Sequence, residues 1–292
     1  MILIAGATGI LGSEICRLLA ENGKGIRALV RETSDAEKVG RLEGLGAKIV
    51  KGDLKDRASL NAVCNGVTTV ISTVSSTLAQ QEGDSIESVD NEGQINLVEA
   101  AKSAGVAHFI LISFPEMRES FPLQDAKRAA ENALKQSGMT YTILQPTFFT
   151  EIWLSPALGF DAANAAARVY GSGENETSWI SYKDVAKFAA AAVDNPAARN
   201  AVIELGGPDA LSPLEVISIF EKVSGKSFDV ENVPVDALHA QKVSAEDSLQ
   251  SSFAGLMLGN AAGSAVEMSE TLKLFPFKLL SVEDYARSIA AT

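Results

Sequence analysis

Cysteine, histidine and cationic residues are what this sequence is short of. Two cysteines, Cys16 and Cys64, stand in 292 residues. Both fall in segments of helical periodicity and neither has metal-type spacing, so they read as small buried side chains rather than a disulfide frame. That fits a reducing compartment, and the cytoplasm is the expected one. Only His108 and His239 supply imidazole, and neither H-E-x-x-H nor C-x-x-C occurs, so no metal site is expected. Lysine and arginine number 25 against 37 acids, a formal charge of −12. Such a balance repels nucleic acid and anionic membrane surfaces, and neither is an expected partner. No uninterrupted apolar run reaches the ~18 residues of a membrane span. The chain opens directly on an apolar run, so no signal peptide is expected. Internal repeats and low-complexity linkers are missing as well. With 46% hydrophobic and 21% charged residues, the composition is ordinary for a soluble globular enzyme.

What is present is concentrated at the start. The apolar run Ile2-Leu3-Ile4-Ala5 leads into Gly6-Ala7-Thr8-Gly9-Ile10-Leu11-Gly12. An amphipathic helix follows, with Leu11, Ile15, Leu18 and Leu19 at i, i+4, i+7 and i+8, closed by Gly23. A second apolar run, Ile26–Val30, comes next. Strand, glycine turn, helix, strand is the first βαβ unit of a dinucleotide-binding fold. Gly6 permits the tight exit from the strand. Gly9 lets a pyrophosphate approach the backbone and the N–H groups opening the helix. Gly12 lets the helix lie close on the sheet. Three glycines in isolation also describe an ordinary turn; it is their place between a buried strand and an amphipathic helix that points to a nucleotide.

The alternation continues through strands at 47–50, 68–73, 108–112 and 141–144, with helices at 58–64, 89–103 and 125–137 and a polar segment over 74–87. Continuous apolar strands argue for a parallel sheet covered on both faces. The fold class expected is α/β, a Rossmann-like doubly wound parallel sheet with a smaller α-rich C-terminal substrate lobe. Residues 1–150 form the nucleotide-binding domain, and 183–206 return to it through a capped helix and the strand Ala201–Leu205. Residues 151–182 and 207–292 form the smaller lobe. There Ser212-Pro213-Leu214-Glu215 marks a helix start, with N-cap, proline at N1 and glutamate at N3. The small-residue run Gly255–Gly263 reads as a mobile helix or loop.

Arg31 ends the second strand, 19 residues after Gly12. In this fold that position faces the adenosine ribose, where an arginine pairs with a 2′-phosphate. Thr33, Ser34 and Lys38 add contacts. The neighbouring Glu32 leaves NAD open, since an acid there accepts the 2′-hydroxyl; the expected cofactor is NADP(H), with NAD(H) possible. Asp53 suits the adenine amino group, with Leu54 on the ring, or equally caps the next helix. Ser72, Thr73 and Val74 end the fourth strand, where the sheet's carboxyl edge meets the cofactor. Lys127 lies early on the helix after the fifth strand, within reach of a nicotinamide ribose, although a lone helical lysine reads first as a solvated surface residue.

These pieces, with Ala28-Leu29-Val30-Arg31, Gly52-Asp53-Leu54, Asn96-Leu97-Val98-Glu99-Ala100-Ala101 running into Ala104-Gly105-Val106, and Leu144-Gln145-Pro146-Thr147-Phe148-Phe149, resemble the NmrA-like branch of the short-chain dehydrogenase/reductase superfamily. Within it the chain is similar to plant phenylpropanoid ether and isoflavone reductases and to bacterial quinone or dye reductases. The resemblance implies that Gly6, Thr8, Gly9, Ile10, Leu11 and Gly12 hold NAD(P)H and that hydride passes to a small conjugated or aromatic substrate. It implies that Lys127 stands near the nicotinamide ribose as proton donor or base and that Pro146 and Thr147 border the nicotinamide. Phe114 and Phe149 are implied to line the substrate cleft. Many members of the superfamily use Tyr-x-x-x-Lys, in which the tyrosine protonates a carbonyl oxygen. Four residues before Lys127 stands Leu123, so carbonyl reduction or sugar epimerisation by that route is not expected. The rival reading is an NADP-binding redox sensor without turnover.

Overall fold

The computed structural model describes residues 1–78 and 81–290. Ala79 and Gln80, inside the polar segment at 74–87, and Ala291 and Thr292, at the end of the expected second lobe, lie outside the described residues. The chain divides into two compact units: Met1–Phe114 with Pro122–Gln145 and Val185–Ile203, and Pro115–Phe121 with Pro146–Asp184 and Glu204–Thr292. Residues 115–121, read from the sequence as part of the nucleotide-binding domain, thus fall in the second unit.

In the first unit the elements run β1 (Ile2–Ala5), α1 (Ile10–Glu21), β2 (Ile26–Val30), α2 (Ala36–Gly44), β3 (Lys48–Lys51), α3 (Arg57–Cys64) and β4 (Thr69–Ser72). A π-helical turn, Ile86–Asn91, precedes α4 (Glu92–Ser103); then come β5 (His108–Ile112), α5 (Pro122–Gln136) and β6 (Thr140–Pro146). The sheet runs β3-β2-β1-β4-β5-β6 and ends on the strand Ala201–Leu205. All ladders from β3 to β6 are parallel, with Ala5 opposite both Leu29 and Ser72. Chain order reverses between β1 and β4, which makes a topological switch point at the carboxyl ends of these strands. The expected doubly wound sheet is therefore the observed one.

Strands β1, β4 and β5 are buried along their whole length; β1 and Phe109–Ile112 of β5 read as continuous apolar runs, while β4 buries Thr69 and Ser72 on either side of Val70 and Ile71. Leu3, Leu60, Leu97, Phe109, Leu111, Leu134 and Ile143 share one core. Cys16 and Cys64 are buried in α1 and α3; burial pushes their thiols up to about 12 and about 11. Both are inert packing groups, as their helical spacing suggested.

The second unit contains α6 (Thr150–Trp153), β7 (Phe160–Asp161), β8 (Ala166–Tyr170), α7 (Tyr182–Ala192, which runs on into the first unit), and β9, the edge strand Ala201–Leu205 just described, whose end lies here. It continues with α8 (Pro213–Ser224), β10 (Asp229–Val233), α9 (Val235–Val243), α10 (Ser248–Ala262), α11 (Ser269–Leu274) and α12 (Val282–Ala290). The unit is rich in helices but also carries a three-stranded sheet, β10-β8-β7, which the sequence pattern did not reveal. Its strands are short, and β10 is almost wholly exposed, so neither period 2 nor an apolar run marks them. The capping box at Ser212 and Glu215 forms as expected. Of the two forms expected for the run Gly255–Gly263, helix or loop, it takes the helix, completing α10 as far as Ala262. A Cβ on Gly255 would stand 2.4 Å from the Phe121 ring, and one on Gly259 2.3 Å from Met117 Sδ. The small residues admit these two side chains. Among the described residues no helix is long and apolar enough to cross a membrane.

Candidate active site

The switch point carries a pocket. Gly6, Thr8 and Gly9 line it from the loop after β1, Leu29, Val30, Arg31 and Ser34 from the end of β2, and Gly52, Asp53 and Leu54 from the end of β3. Thr73, Val74, Ser75 and Ser76 follow β4, and Asp84 and Val89 complete the lining. Three strand ends and a helix start thus converge, although the residues concerned are up to 83 positions apart.

The glycine loop is closed by contacts that tolerate no side chain. Gly6 has φ +82°, and a Cβ there would lie 2.5 Å from Thr73 Oγ1. A Cβ on Gly12 would fall 2.1 Å from Gly6 O, so its role is to let α1 sit on the loop. Gly9 is the N-cap of α1 with φ −77°, and no side chain caps the helix. No acid occupies the first turn either. The orphan N–H groups of a 12-residue helix, with the positive end of its dipole, are left to meet an anion. The pyrophosphate of a dinucleotide is such an anion, and the bare start of α1 suits it. Ile10 is exposed at the first helical position and Leu11 is buried. With Gly12, neither lines the pocket by its side chain; what they offer an anion is backbone N–H.

Arg31 stands directly after β2, which ends one residue earlier than expected at Val30, and its N–H donates to Ser34 Oγ at 2.9 Å. Its guanidinium pairs with Asp84, at 2.6 Å from Nη1 to Oδ2. Glu32, the alternative ribose ligand, points elsewhere: its side chain is 80% exposed and lies 3.5 Å from Lys51 Nζ. The acid paired with Arg31 in the pocket is Asp84, which sequence reasoning missed. Lys38 lies exposed on α2, outside the lining. Asp53 lines the pocket, and its Oδ1 accepts from the Lys55 N–H at 2.9 Å; the N-cap of α3 is Asp56 instead. Leu54 is buried beneath it. Thr73 and Val74 line the pocket, whereas Ser72 is fully buried and its hydroxyl donates to Gln94 Oε1 at 2.9 Å.

Lys127 is not a solvated surface residue. Its side chain is 6% exposed, and Nζ stands 3.0 Å from Asp90 Oδ1, whose side chain is 0% exposed. Nζ also donates to Val74 O at 3.1 Å, an oxygen that accepts from Gln94 Nε2 at 3.2 Å. Asp90 Oδ2 accepts from Ser76 N at 2.9 Å and Ser76 Oγ at 2.6 Å. The lysine reaches the strand-end segment Thr73–Ser76 that lines the pocket, and its counter-ion sits in the π turn before α4. Asp90 and Gln94 were legible in principle. Ile86, Val89, Asp90, Gly93, Gln94 and Leu97 form one helical stripe, and polar residues on a buried stripe mark a network rather than core. The buried stripe of α5 says the same, for it carries Lys127 and Glu131 among Leu123, Ala126, Ala130 and Leu134.

One turn beyond Lys127, Glu131 accepts from Gln145 Nε2 at 2.9 Å and pairs with Arg128 at 2.9 Å. Arg128 donates to Ser113 Oγ and to Phe114 O and lies 5.8 Å from the centre of the Phe114 ring. Phe114 is thereby held half-buried at the end of β5. Leu123, where a tyrosine was looked for, is buried. Pro146, Thr147 and Phe149 belong to the second unit. There the Thr147 N–H donates to Leu205 O at 2.9 Å and its hydroxyl to Ser178 O, while Phe149 is half-buried and bridges Ile180. No group of residues able to hold a metal ion occurs among the described residues.

The NmrA-like family matches residues 1–286. The NAD(P)H azoreductase of Xenophilus azovorans is 33% identical over 229 residues, covering 77% of this chain and 74% of that protein. The photosystem II assembly factor Ycf39 of Trieres chinensis is 30% identical over 243 residues, covering 80% and 72%. Among solved structures, AtPrR2 with NADP+ and (+)pinoresinol superposes with a TM-score of 0.80 at 26% identity, covering 98% of this chain and 97% of that one.

Proposed function

We propose that this chain, which belongs to the NmrA-like family, is an NAD(P)H-dependent reductase delivering hydride to a small conjugated or aromatic compound such as a quinone, an azo dye, an enone or a lignan-like ether. The observation that carries the reading is the uncapped start of α1 opening on the same pocket as Arg31, a place for a pyrophosphate and a cation for the adenosine end. The loop Gly6–Gly12 and the N–H groups of Ile10, Leu11 and Gly12 hold the pyrophosphate; Arg31 holds the 2′-phosphate; Asp53 and Leu54 meet the adenine; Thr73 and Val74 meet the cofactor at the end of β4. A reduced nicotinamide, when bound, supplies the hydride. Lys127 supplies the proton from Nζ to the reduced substrate, and Asp90, held by Ser76, keeps the ammonium at Val74. With Leu123 buried in the tyrosine's position, no phenol assists, which favours substrates whose reduced form needs one proton on a stabilised anion.

The test is loss of the reduced nicotinamide's absorbance with a panel of quinones, azo dyes, enones and aryl ethers. Consumption of NADPH with at least one class is expected. A second reading, a cofactor-binding protein without turnover, is favoured by Leu123 and by the commitment of Lys127 to internal partners. Tight NADPH binding with no acceptor consumed puts that reading first.

A further inference from the structure

The pocket holds an acid that neither the glycine loop nor the lysine network uses. Asp84 lies between β4 and the π turn with its side chain 0% exposed. Its Oδ2 is 2.6 Å from Arg31 Nη1, and its Oδ1 is 2.6 Å from Lys55 Nζ. The Gln81 N–H donates to Oδ2 at 3.0 Å. Burial alone would raise this carboxyl, but the hydrogen bonds from Lys55, Arg31 and Gln81 outweigh it and hold it below the usual carboxylate range. Two cations, one from the end of β2 and one from the loop after β3, therefore converge on one buried anion.

Carboxylate and phosphate are alternative ligands for the same cations. We infer that Asp84 is an internal occupant of the 2′-phosphate position, so that NADPH must displace its carboxylate from Arg31 and Lys55 while NADH need not. The inference rests on the reading of this pocket as a nicotinamide dinucleotide site. A phosphate dianion that arrives while Asp84 stays meets a like charge, and one that expels it must replace three hydrogen bonds. A 2′-hydroxyl meets no such opposition, because it can donate to the carboxylate. Asp84 thus narrows the preference for NADPH that Arg31 creates, and Lys55 becomes the second cation of the phosphate site. Glu32, exposed and beside Lys51, takes no part.

Calorimetric affinities of NADPH, NADH, 2′,5′-ADP and 5′-ADP for the wild type, Asp84→Asn and Lys55→Ala test this without turnover. Asparagine keeps an acceptor for the Gln81 N–H and removes the charge. Asp84→Asn is expected to tighten NADPH and 2′,5′-ADP by roughly tenfold or more while NADH and 5′-ADP stay within about twofold or weaken. Lys55→Ala, an independent variant should Asp84→Asn not fold, is expected to weaken the two 2′-phosphates selectively. Equal losses for all four ligands in both variants would make Asp84 and Lys55 mere struts of the loop and overturn the inference. So would an unchanged NADPH-to-NADH ratio. A wild type that binds none of the four overturns the dinucleotide reading itself, and this inference with it.

Discussion

Replacing Lys127 by methionine separates its structural from its chemical role. Methionine keeps the stem and removes the ammonium, so Asp90 Oδ1 loses its cation while Oδ2 keeps Ser76 N and Oγ. Removing one partner of a buried ion pair costs about 3–5 kcal/mol, because the remaining charge is stranded. The two Ser76 hydrogen bonds put the expected loss near ~3 kcal/mol. At roughly 2–4 °C per kcal/mol, the midpoint of thermal unfolding should fall by about 6–12 °C. Turnover should fall by about 10²–10⁴, the contribution of a general acid. The double variant Lys127→Met with Asp90→Asn strands no charge and should regain most of the midpoint without regaining the rate. The assays are thermal unfolding by circular dichroism and steady-state NADPH oxidation on one acceptor. A quinone, which water can protonate once reduced, should depend on the lysine less than an enone does. If the stabilised double variant also recovers turnover, Lys127 is structural and its assignment to proton transfer is wrong.

Gly9→Val should still fold, since φ −77° suits any residue and a Cβ there meets only Gly6 O, at 3.2 Å, yet lose NADPH binding as measured by calorimetry, because the branched side chain sits at the mouth of α1. Arg31→Ala should weaken NADPH by ~1.5–3 kcal/mol, the scale of a charged hydrogen bond, and leave NADH little changed; equal losses would mean that Arg31 serves only the adenine. His108 provides a pH test. Burial, with help from the Arg199 charge, lowers its pKa from 6.5 to about 4. Thr142 Oγ1 donates to Ala198 O at 2.7 Å, so it accepts from the His108 Nε2–H at 2.9 Å. The unfolded chain takes up this proton first as pH falls. The stability is therefore full above pH 6.5 and declines toward pH 4, by about 3 kcal/mol. His108→Gln should remove that part of the acid dependence in denaturant titrations at several pH values.

The parts of this protein that were legible from residues alone are those governed by local chemistry. Apolar runs marked the strands β1 and β5; the stripe Leu11, Ile15, Leu19 marked α1; the glycines announced the turn between β1 and α1. Each follows from period, burial or φ within a dozen residues, and right-handed crossovers then leave few ways to order the sheet. Leu123 likewise showed from the sequence that the residue four before Lys127 is not a tyrosine.

What tertiary structure alone decided is which charges meet. Arg31 and Asp84 are 53 residues apart, and Lys127 and Asp90 37, so no spacing rule links them. Both pairings exist because strand ends from separate βαβ units come together at one switch point, where a buried charge must find a partner across the sheet or stay in water. The small sheet of the second unit was hidden for a related reason. Its strands are short and, in β10, exposed, so their pairing is specified by the neighbours they meet and not by any pattern they carry.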